Sequence, residues 1–147
     1  MNFFQKNVAV LGLGLEGQDI CYFLAEKGAK ITVFDQKTAA ELGKIVKVLK
    51  SRGVKFKLGR NYLKNGLEEF DVIFRSPALK ISLPAIVKAK KRGSKISSAT
   101  ELFFETCPAK IIGVTGTKGK GTTSTLIYNI LKRAKRKVFL TGNIFFS

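Results

Sequence analysis

Histidine is absent from the 147-residue sequence, cysteine occurs twice, and only 10 residues are acidic. Zinc sites in proteins are built mainly from histidine and closely spaced cysteine. Cys21 and Cys107 are far apart and form no Cys-x-x-Cys pair. The sequence therefore contains no zinc-binding pattern, and we interpret both cysteines as reduced, packed thiols.

Long hydrophobic runs are also missing. No apolar stretch approaches the roughly 18–20 residues that span a bilayer. The N-terminus, residues 1–6, has no apolar segment or cleavage site of a secretory signal. Since 45% of the residues are hydrophobic, the chain can still build a core. We expect a folded cytoplasmic protein without a membrane partner.

Basic residues outnumber acidic ones by 27 to 10, which gives a net charge of +17. Such a charge suits anionic partners, either a nucleic acid or ligands that carry phosphates. The lysines and arginines are spread over the polar faces and C-terminal ends of predicted helices, where cations suit the helix dipole. They do not alternate with aromatic residues that stack on bases. We therefore favour a solvated basic surface and predict no nucleic-acid partner.

Apolar strand patterns alternate with helical patterns along the first two thirds of the chain. This order predicts an α/β fold with a Rossmann-like, doubly wound parallel sheet. Pro108 disfavours helix at the residue before it, so we place a boundary between a domain at 1–107 and a second one at 108–147. The strands are predicted at 7–12, 30–35, 54–58, 71–75 and 95–97. The helices are predicted from the end of the glycine loop at 12–17 to about Lys27, and at 39–51, 83–92 and 99–105.

The first glycine loop follows the first strand and has the spacing Gly12-x-Gly14-x-x-Gly17. Gly12 suits a tight turn, Gly14 allows backbone to approach a pyrophosphate, and Gly17 allows close packing of helix and strand. Asp35 ends the next strand, where an NAD-binding domain has its ribose ligand. By itself the loop favours a nucleotide diphosphate site; the alternative is a tight turn with no ligand.

A second glycine loop follows the apolar run 110–115, which we predict as a strand, and precedes an apolar-periodic helix. Its backbone N–H groups and Lys120 would hold nucleoside triphosphate phosphates, with Thr122 or Thr123 near Mg²⁺. The strict P-loop pattern would have glycine at Val114 and a hydroxyl residue at Gly121, so the alternative is a glycine turn with a helix cap. The predicted ATP-binding residues are Gly116, Thr117, Lys118, Gly119, Lys120, Gly121, Thr122 and Thr123.

Only 24 residues follow Thr123. We expect them to complete a strand–P-loop–helix–strand unit at the start of a truncated second α/β domain. The two loops together weigh against a simple dehydrogenase, which needs no second phosphate loop.

Six segments, in their order and spacing, resemble the Mur ligase family. Within that family the chain is most similar to the branch that adds D-glutamate to a peptidoglycan precursor. The second loop is shared with folylpolyglutamate synthetases, but those enzymes lack the first domain. The segments that carry the resemblance are 10–17, Asp35, 76–78, 100–103, 113–120 and 141–143.

The resemblance implies that the first domain binds UDP-N-acetylmuramoyl-L-alanine (UDP-MurNAc-L-Ala) rather than NAD. It also implies that Lys120 is catalytic and that Thr122 binds Mg²⁺. The family often has threonine at Glu16 and glycine at Ala78. The implied substrate-binding residues are Gly14, Leu15, Glu16, Asp35, Gln36, Lys37, Ser76, Pro77, Ala78 and Asn143.

The reaction implied by the resemblance is carboxylate activation with ATP and Mg²⁺ as cofactors. ATP phosphorylates the alanyl carboxylate, and the amine of D-glutamate attacks the acyl-phosphate. Other catalytic groups of the family would lie beyond Ser147, so we expect this chain alone to be inactive and monomeric. Two alternatives remain: an NAD(P)-binding oxidoreductase or sensor domain, and a non-catalytic module that binds nucleotides or nucleic acid.

Overall fold

The structure, a computed structural model, describes residues 2–64 and 66–142. It divides into two compact units between Cys107 and Pro108. That these units are the two predicted domains, with their assigned roles, remains a prediction. The first unit contains β1 (Asn7–Leu11), α1 (Leu15–Glu26), β2 (Lys30–Asp35), α2 (Ala39–Leu42), α3 (Lys44–Ser51), β3 (Lys55–Leu58), β4 (Val72–Arg75), α4 (Pro84–Lys91), β5 (Lys95–Ser97) and α5 (Ala99–Thr106); the second contains α6 (Lys120–Arg133).

The five strands form one parallel sheet in the order β3-β2-β1-β4-β5. This confirms the predicted Rossmann-like α/β architecture. The chain builds outward from β1 to β3, then returns to the other side of β1 with β4. The strand order therefore reverses between β1 and β4, and the carboxyl ends of these two strands border the crevice where open α/β sheets bind ligands.

Both faces of the sheet are buried, because successive side chains of a strand point to opposite sides. Val8 and Val10 face one core, which includes residues of α1, α3 and α5. Ala9 and Leu11 face the other, which includes residues of α4 and Leu67. Helices α1, α3 and α5 thus cover one face, and α4 with the segment around Leu67 covers the other. Burial of both faces is what the continuous apolar strands predict for a doubly wound sheet.

The two edge strands carry lysines. Lys55 and Lys57 are exposed on β3, and Lys95 is exposed on β5. Lys95 also forms an ion pair with Glu105 of α5.

The single helix predicted over 39–51 is wrong, because the structure has two helices there. Gly43 ends α2 with a φ of +68° and precedes α3 directly. A backbone φ in this region interrupts the helical hydrogen-bond ladder and is typical of a glycine C-cap. The apolar periodicity continues across the break, which is why the pattern predicts one helix.

In the second unit the predicted helix is present as α6, but the strand predicted at 110–115 is not. Residues 109–116 have no regular secondary structure, and neither do residues 136–141 after α6. A strand needs a neighbour to take its N–H and C=O groups. Within the described residues, no strand of this unit offers such a neighbour. Leu126 and Ile130 of α6 are exposed.

No helix in the ranges 2–64 and 66–142 has the length and apolar character needed to cross a bilayer.

The environments of the two thiols predict different reactivity. Cys21 is fully buried in the α1 core, and burial raises the pKa of its thiol to about 12. Cys107 is half-buried. Because the thiolate is the reactive form, we expect Ellman's reagent at pH 8 to modify Cys107 rapidly and Cys21 only at the rate of unfolding. A C107S variant should show no rapid phase; rapid reaction of that variant would contradict the packing of Cys21.

Candidate functional site

A cleft of about 330 Å³ lies where the strand order reverses between β1 and β4. Its walls are the end of β1, the first turns of α1 and the segment that follows β4. It is lined by Val10, Leu11, Gly12, Gly14, Glu16, Gly17, Ile20, Phe74, Arg75, Ser76, Pro77 and Ala78. The structure thus brings together five predicted substrate-binding residues: Gly14, Glu16, Ser76, Pro77 and Ala78. Leu15, between two of them in sequence, is 83% exposed.

The three glycines of the first loop have distinct surroundings. Gly12 has a φ of +92°, which only glycine adopts without strain. A Cβ on Gly17 would lie 2.1 Å from the carbonyl oxygen of Gly12, so α1 packs directly on the loop. A Cβ on Gly14 would meet no atom within 4 Å. The roles predicted for Gly12 and Gly17 are confirmed, and the space beside Gly14 leaves its backbone open to a ligand.

Asp35 joins the end of β2 to the glycine loop. Its Oδ2 accepts a hydrogen bond from the Leu13 N–H at 2.7 Å, and its Oδ1 accepts from the Lys37 N–H at 2.8 Å. The side chain is buried, with 8% of its surface exposed. The carboxylate therefore lies next to the glycine loop and holds it in place through the Leu13 N–H. Contact between Asp35 and the substrate stays a prediction.

Gln36 and Lys37 follow Asp35 and are exposed at the same end of the sheet. Tyr62 reaches this region from the segment after β3. Partial burial, and to a smaller degree the charge of Asp35, raise the pKa of the Tyr62 phenol. Sequence reasoning missed Tyr62 because its segment has neither a motif nor a regular period.

Arg75 is a second residue that sequence reasoning missed. Among the residues that line the cleft, it is the only basic one and Glu16 is the only acidic one. Arg75 ends β4, directly before the predicted residue Ser76. Arg75 directly precedes the Ser-Pro pair at the end of a strand. This position beside predicted site residues is the signal by which the sequence could have identified it as part of the site.

The second glycine loop leads into α6. Gly119 is the N-cap residue in the left-handed conformation, with a φ of +76°. The Lys120 ammonium folds back on the loop and donates to the carbonyl oxygen of Gly116 at 2.6 Å. The first helical bond closes from the Thr123 N–H to the Gly119 carbonyl at 3.0 Å. The N–H groups that precede Thr123 in the first turn, from Lys120 onward, are available for an anion.

This loop fits the phosphates of a nucleotide. A Cβ added to Gly119 or Gly121 would meet no atom within 4 Å, so the backbone is open to a ligand there. Lys118, Thr122 and Thr123 are exposed around the same turn. Lys120 supplies the positive charge that a triphosphate requires.

A magnesium ion fits only as a partner of the phosphates. The described residues contain no group of three or more acidic, cysteine or histidine side chains that could hold a metal. Mg²⁺ commonly keeps several waters and takes few protein ligands besides phosphate oxygens. The hydroxyl of Thr122 suits that role as a single ligand. Asn143, the remaining predicted residue, lies outside the described residues.

A second hollow, of about 320 Å³, lies at the opposite end of the strands, near the start of β1 and the end of α1. It contains none of the predicted site residues. It is lined by Asn2, Phe3, Phe23, Lys27, Glu105 and Thr106.

Residues 6–98 match the family model described as Mur ligase MurD-like, N-terminal domain. The chain is 48% identical over 139 residues to the UDP-N-acetylmuramoylalanine--D-glutamate ligase of Clostridium novyi, and 49% identical over 140 residues to that of Clostridium acetobutylicum. Each alignment covers 95% of this chain and 30% of the relative. The chain thus spans about a third of the length of these curated relatives.

Solved structures share the fold. UDP-N-acetylmuramate:L-alanyl-gamma-D-glutamyl-meso-diaminopimelate ligase from Neisseria meningitides aligns with a TM-score of 0.56 and 21% identity, over 88% of this chain and 40% of that one. The A chain of dipicolinate synthase from Bacillus subtilis aligns with a TM-score of 0.53 and 18% identity, over 92% of this chain and 48% of that one.

Two glycine-to-alanine variants separate packing from ligand access. In G17A the new methyl must displace the Gly12 carbonyl, so we expect a loss of about 2–3 kcal/mol in the free energy of unfolding. In G14A the methyl enters open space, so we expect a loss below about 1 kcal/mol. If the cleft binds a nucleotide diphosphate, G14A should instead weaken that binding, measured with UDP, about tenfold, because the methyl blocks backbone approach to a phosphate. Urea unfolding and calorimetric titration measure the two effects. Equal stability losses in both variants would contradict this geometry.

Proposed function

Because the chain belongs to the MurD-like family of Mur ligases, we propose that it is the N-terminal part of an enzyme that makes a peptidoglycan precursor. That enzyme is an ATP-dependent ligase that joins D-glutamate to UDP-MurNAc-L-Ala. We place it in the cytoplasm as a monomer. By the same proposal, the first unit binds the UDP-linked substrate and the second begins the ATP-binding domain. The 147-residue chain alone would bind ligands without turnover.

The cleft between β1 and β4 is the observation on which this proposal depends. Its floor is the glycine loop, and the first turn of α1 begins there at Leu15. A helix N-terminus and open loop N–H groups suit a diphosphate. We assign the diphosphate to Gly14, Leu15 and Glu16. The segment 76–78 would complete the pocket on the side of β4.

The uridine end of the substrate is assigned to the neighbouring end of β2. Gln36 and Lys37 are exposed there, beside the buried carboxylate of Asp35. Tyr62 lies close enough to Asp35 to experience its charge, and offers an aromatic ring at the same end. Contacts to the base would therefore come from side chains that the loop and Asp35 hold in place.

In the second unit, ATP would supply the phosphoryl group that activates the alanyl carboxylate. The residues of this chain contribute binding and charge. Lys120 would leave the Gly116 carbonyl and neutralise the phosphates, the backbone from Gly116 to Gly121 would surround them, and Thr122 would give a hydroxyl to Mg²⁺. Asn143 is proposed to contact the muramoyl substrate.

An NAD-binding domain is the alternative that the first loop raises. In that class the acidic residue at the end of β2 binds a ribose hydroxyl. Here both oxygens of Asp35 already accept backbone N–H bonds, and the side chain is buried. This arrangement gives Asp35 a structural role that either nucleotide would allow. The match of residues 6–98 to the MurD-like N-terminal domain is what supports the uridine nucleotide over NAD.

The choice of ligand tests the first unit. We expect the purified chain to bind UDP-MurNAc-L-Ala and, more weakly, UDP, with calorimetrically measurable affinity. NADH, followed by its fluorescence, should not bind at the same concentrations. Tight NADH binding without UDP binding would refute the proposal in favour of the oxidoreductase class. Salt-sensitive binding to random DNA alone would favour a nucleic-acid module.

Lys120 tests the second unit. Replacing it with methionine in K120M removes the charge at the phosphate loop and keeps the length of the side chain. We expect ATP affinity in the presence of Mg²⁺ to fall at least about tenfold, because a charge-assisted contact to phosphate is lost.

The matched control is K132M, in the last turn of the same helix. Its ammonium lies over the Tyr128 ring, 5.4 Å from the centroid, far along α6 from the loop. K132M also lowers the net charge by one but should leave ATP binding within about twofold. Equal losses in the two variants would mean that overall charge, and not the loop, attracts the nucleotide.

A further inference from the structure

The side chain of Arg75 holds the turn that forms one wall of the cleft. Its Nη1 donates to the carbonyl oxygens of Ser76 at 3.2 Å and Pro77 at 3.4 Å, and to that of Leu79 by the shortest of the three bonds. The Leu79 N–H in turn donates to the Ser76 carbonyl at 3.0 Å, which closes the turn. A single guanidinium therefore bonds three carbonyl groups of this turn, those of Ser76, Pro77 and Leu79.

The first residue of this turn, Ser76, is attached to β1. The Ser76 N–H donates to the Leu11 carbonyl at 3.0 Å, and the Ser76 Cβ lies 3.2 Å from where a Cβ on Gly12 would be. The turn is thus connected to the glycine loop by backbone and packing at its start. Along the rest of its length, the described hydrogen bonds that fix it are those of Arg75 and its own closing bond.

Because Arg75 fixes the carbonyl groups of the turn, it also fixes the direction of the N–H groups in the same peptides. In a trans peptide the N–H points opposite to the preceding C=O. With the Pro77 carbonyl turned toward Arg75, the Ala78 N–H points away from the guanidinium. Within the described part of the chain, neither this N–H nor the Ser76 hydroxyl has a hydrogen-bond partner. Both residues line the cleft.

We propose that Arg75 is a positioning residue for substrate binding, which holds the turn at 76–79 so that the Ala78 N–H and the Ser76 hydroxyl are presented to the diphosphate of the UDP-linked substrate. This inference rests on the proposed function. Preorganised donors cost less to order when the ligand binds, so the effect of Arg75 appears as affinity. Glu16, on the opposite wall, makes such donors necessary, because its carboxylate repels a diphosphate.

The first test measures the turn without any ligand. In R75M, we expect the ¹⁵N order parameters of Ala78, Leu79 and Lys80 to fall, while those of β1 and β4 stay unchanged. The control is R92M, at the C-cap of α4, which leads into the start of β5, whereas the cleft lies at the carboxyl ends of the strands. Unchanged order in the R75M turn would overturn the positioning role.

The second test measures binding to the same chain. We expect R75M to weaken UDP about fivefold to tenfold and uridine, which lacks the diphosphate, by less than about twofold. R92M should leave both affinities unchanged. The loss of UDP affinity in R75M should persist in 0.5 M NaCl, where exposed charges interact weakly. A loss that disappears in salt would show that Arg75 acts by its charge alone, and would overturn the inference.

The two failures can be told apart. If the wild-type chain does not bind UDP, the proposed function fails, and the binding role of Arg75 fails with it. If the wild type binds UDP and R75M binds it equally well, only the role of Arg75 is wrong.

Discussion

The first unit depends on one buried carboxylate. Asp35 accepts the Leu13 N–H with one oxygen and the Lys37 N–H with the other. Together with the bond from the Gly12 N–H to the Phe34 carbonyl, it joins the segments that follow β1 and β2. The glycine loop leaves the sheet at this point, and its conformation decides where α1 begins. A charge-assisted bond of this kind is stronger than a neutral one and more costly to leave unpaired. This carboxylate therefore fixes the loop that borders the cleft between β1 and β4.

Close approach of backbone is the second constraint on the site. Gly17 lets α1 lie against the Gly12 carbonyl, and the same contact brings the N-terminus of α1 to the ends of β1 and β4. The loop therefore combines dense packing on its inner side with open space at Gly14 on its outer side. Binding surface and scaffold are formed by the same few residues.

Much of this arrangement could be predicted from the sequence. Continuous apolar strands alternating with helices indicate a parallel doubly wound sheet, and the glycine spacing indicates the phosphate side of β1. These signals are local, and the carboxyl ends of parallel strands meet by topology. The resemblance to Mur ligases implied that Ser76–Ala78 belong to the same pocket as Gly14, and the meeting of strand ends gives the physical reason.

The features that were missed depend on tertiary context. Gly43 divides a continuous amphipathic pattern, and periodicity does not show whether a glycine keeps helical backbone. The apolar run 110–115 has strand composition, but a strand forms only with a neighbour. Arg75 resembles any basic residue at a strand end until the turn it holds is visible. In each case the sequence shows the residue but not the group with which it packs or forms a hydrogen bond.

The lysines on the outermost strands have a consequence for self-association. β3 and β5 each leave one side of the backbone unpaired, which makes them templates for a strand from another molecule. A second copy that added to β3 would bring its own lysines against the ammonium groups of Lys55 and Lys57, and at β5 it would compete with the ion pair of Lys95. With a net charge of +17, the copies also repel one another at a distance. The sheet is therefore protected against edge-to-edge aggregation at high protein concentration, and this protection should weaken where polyanions or high salt screen the lysines.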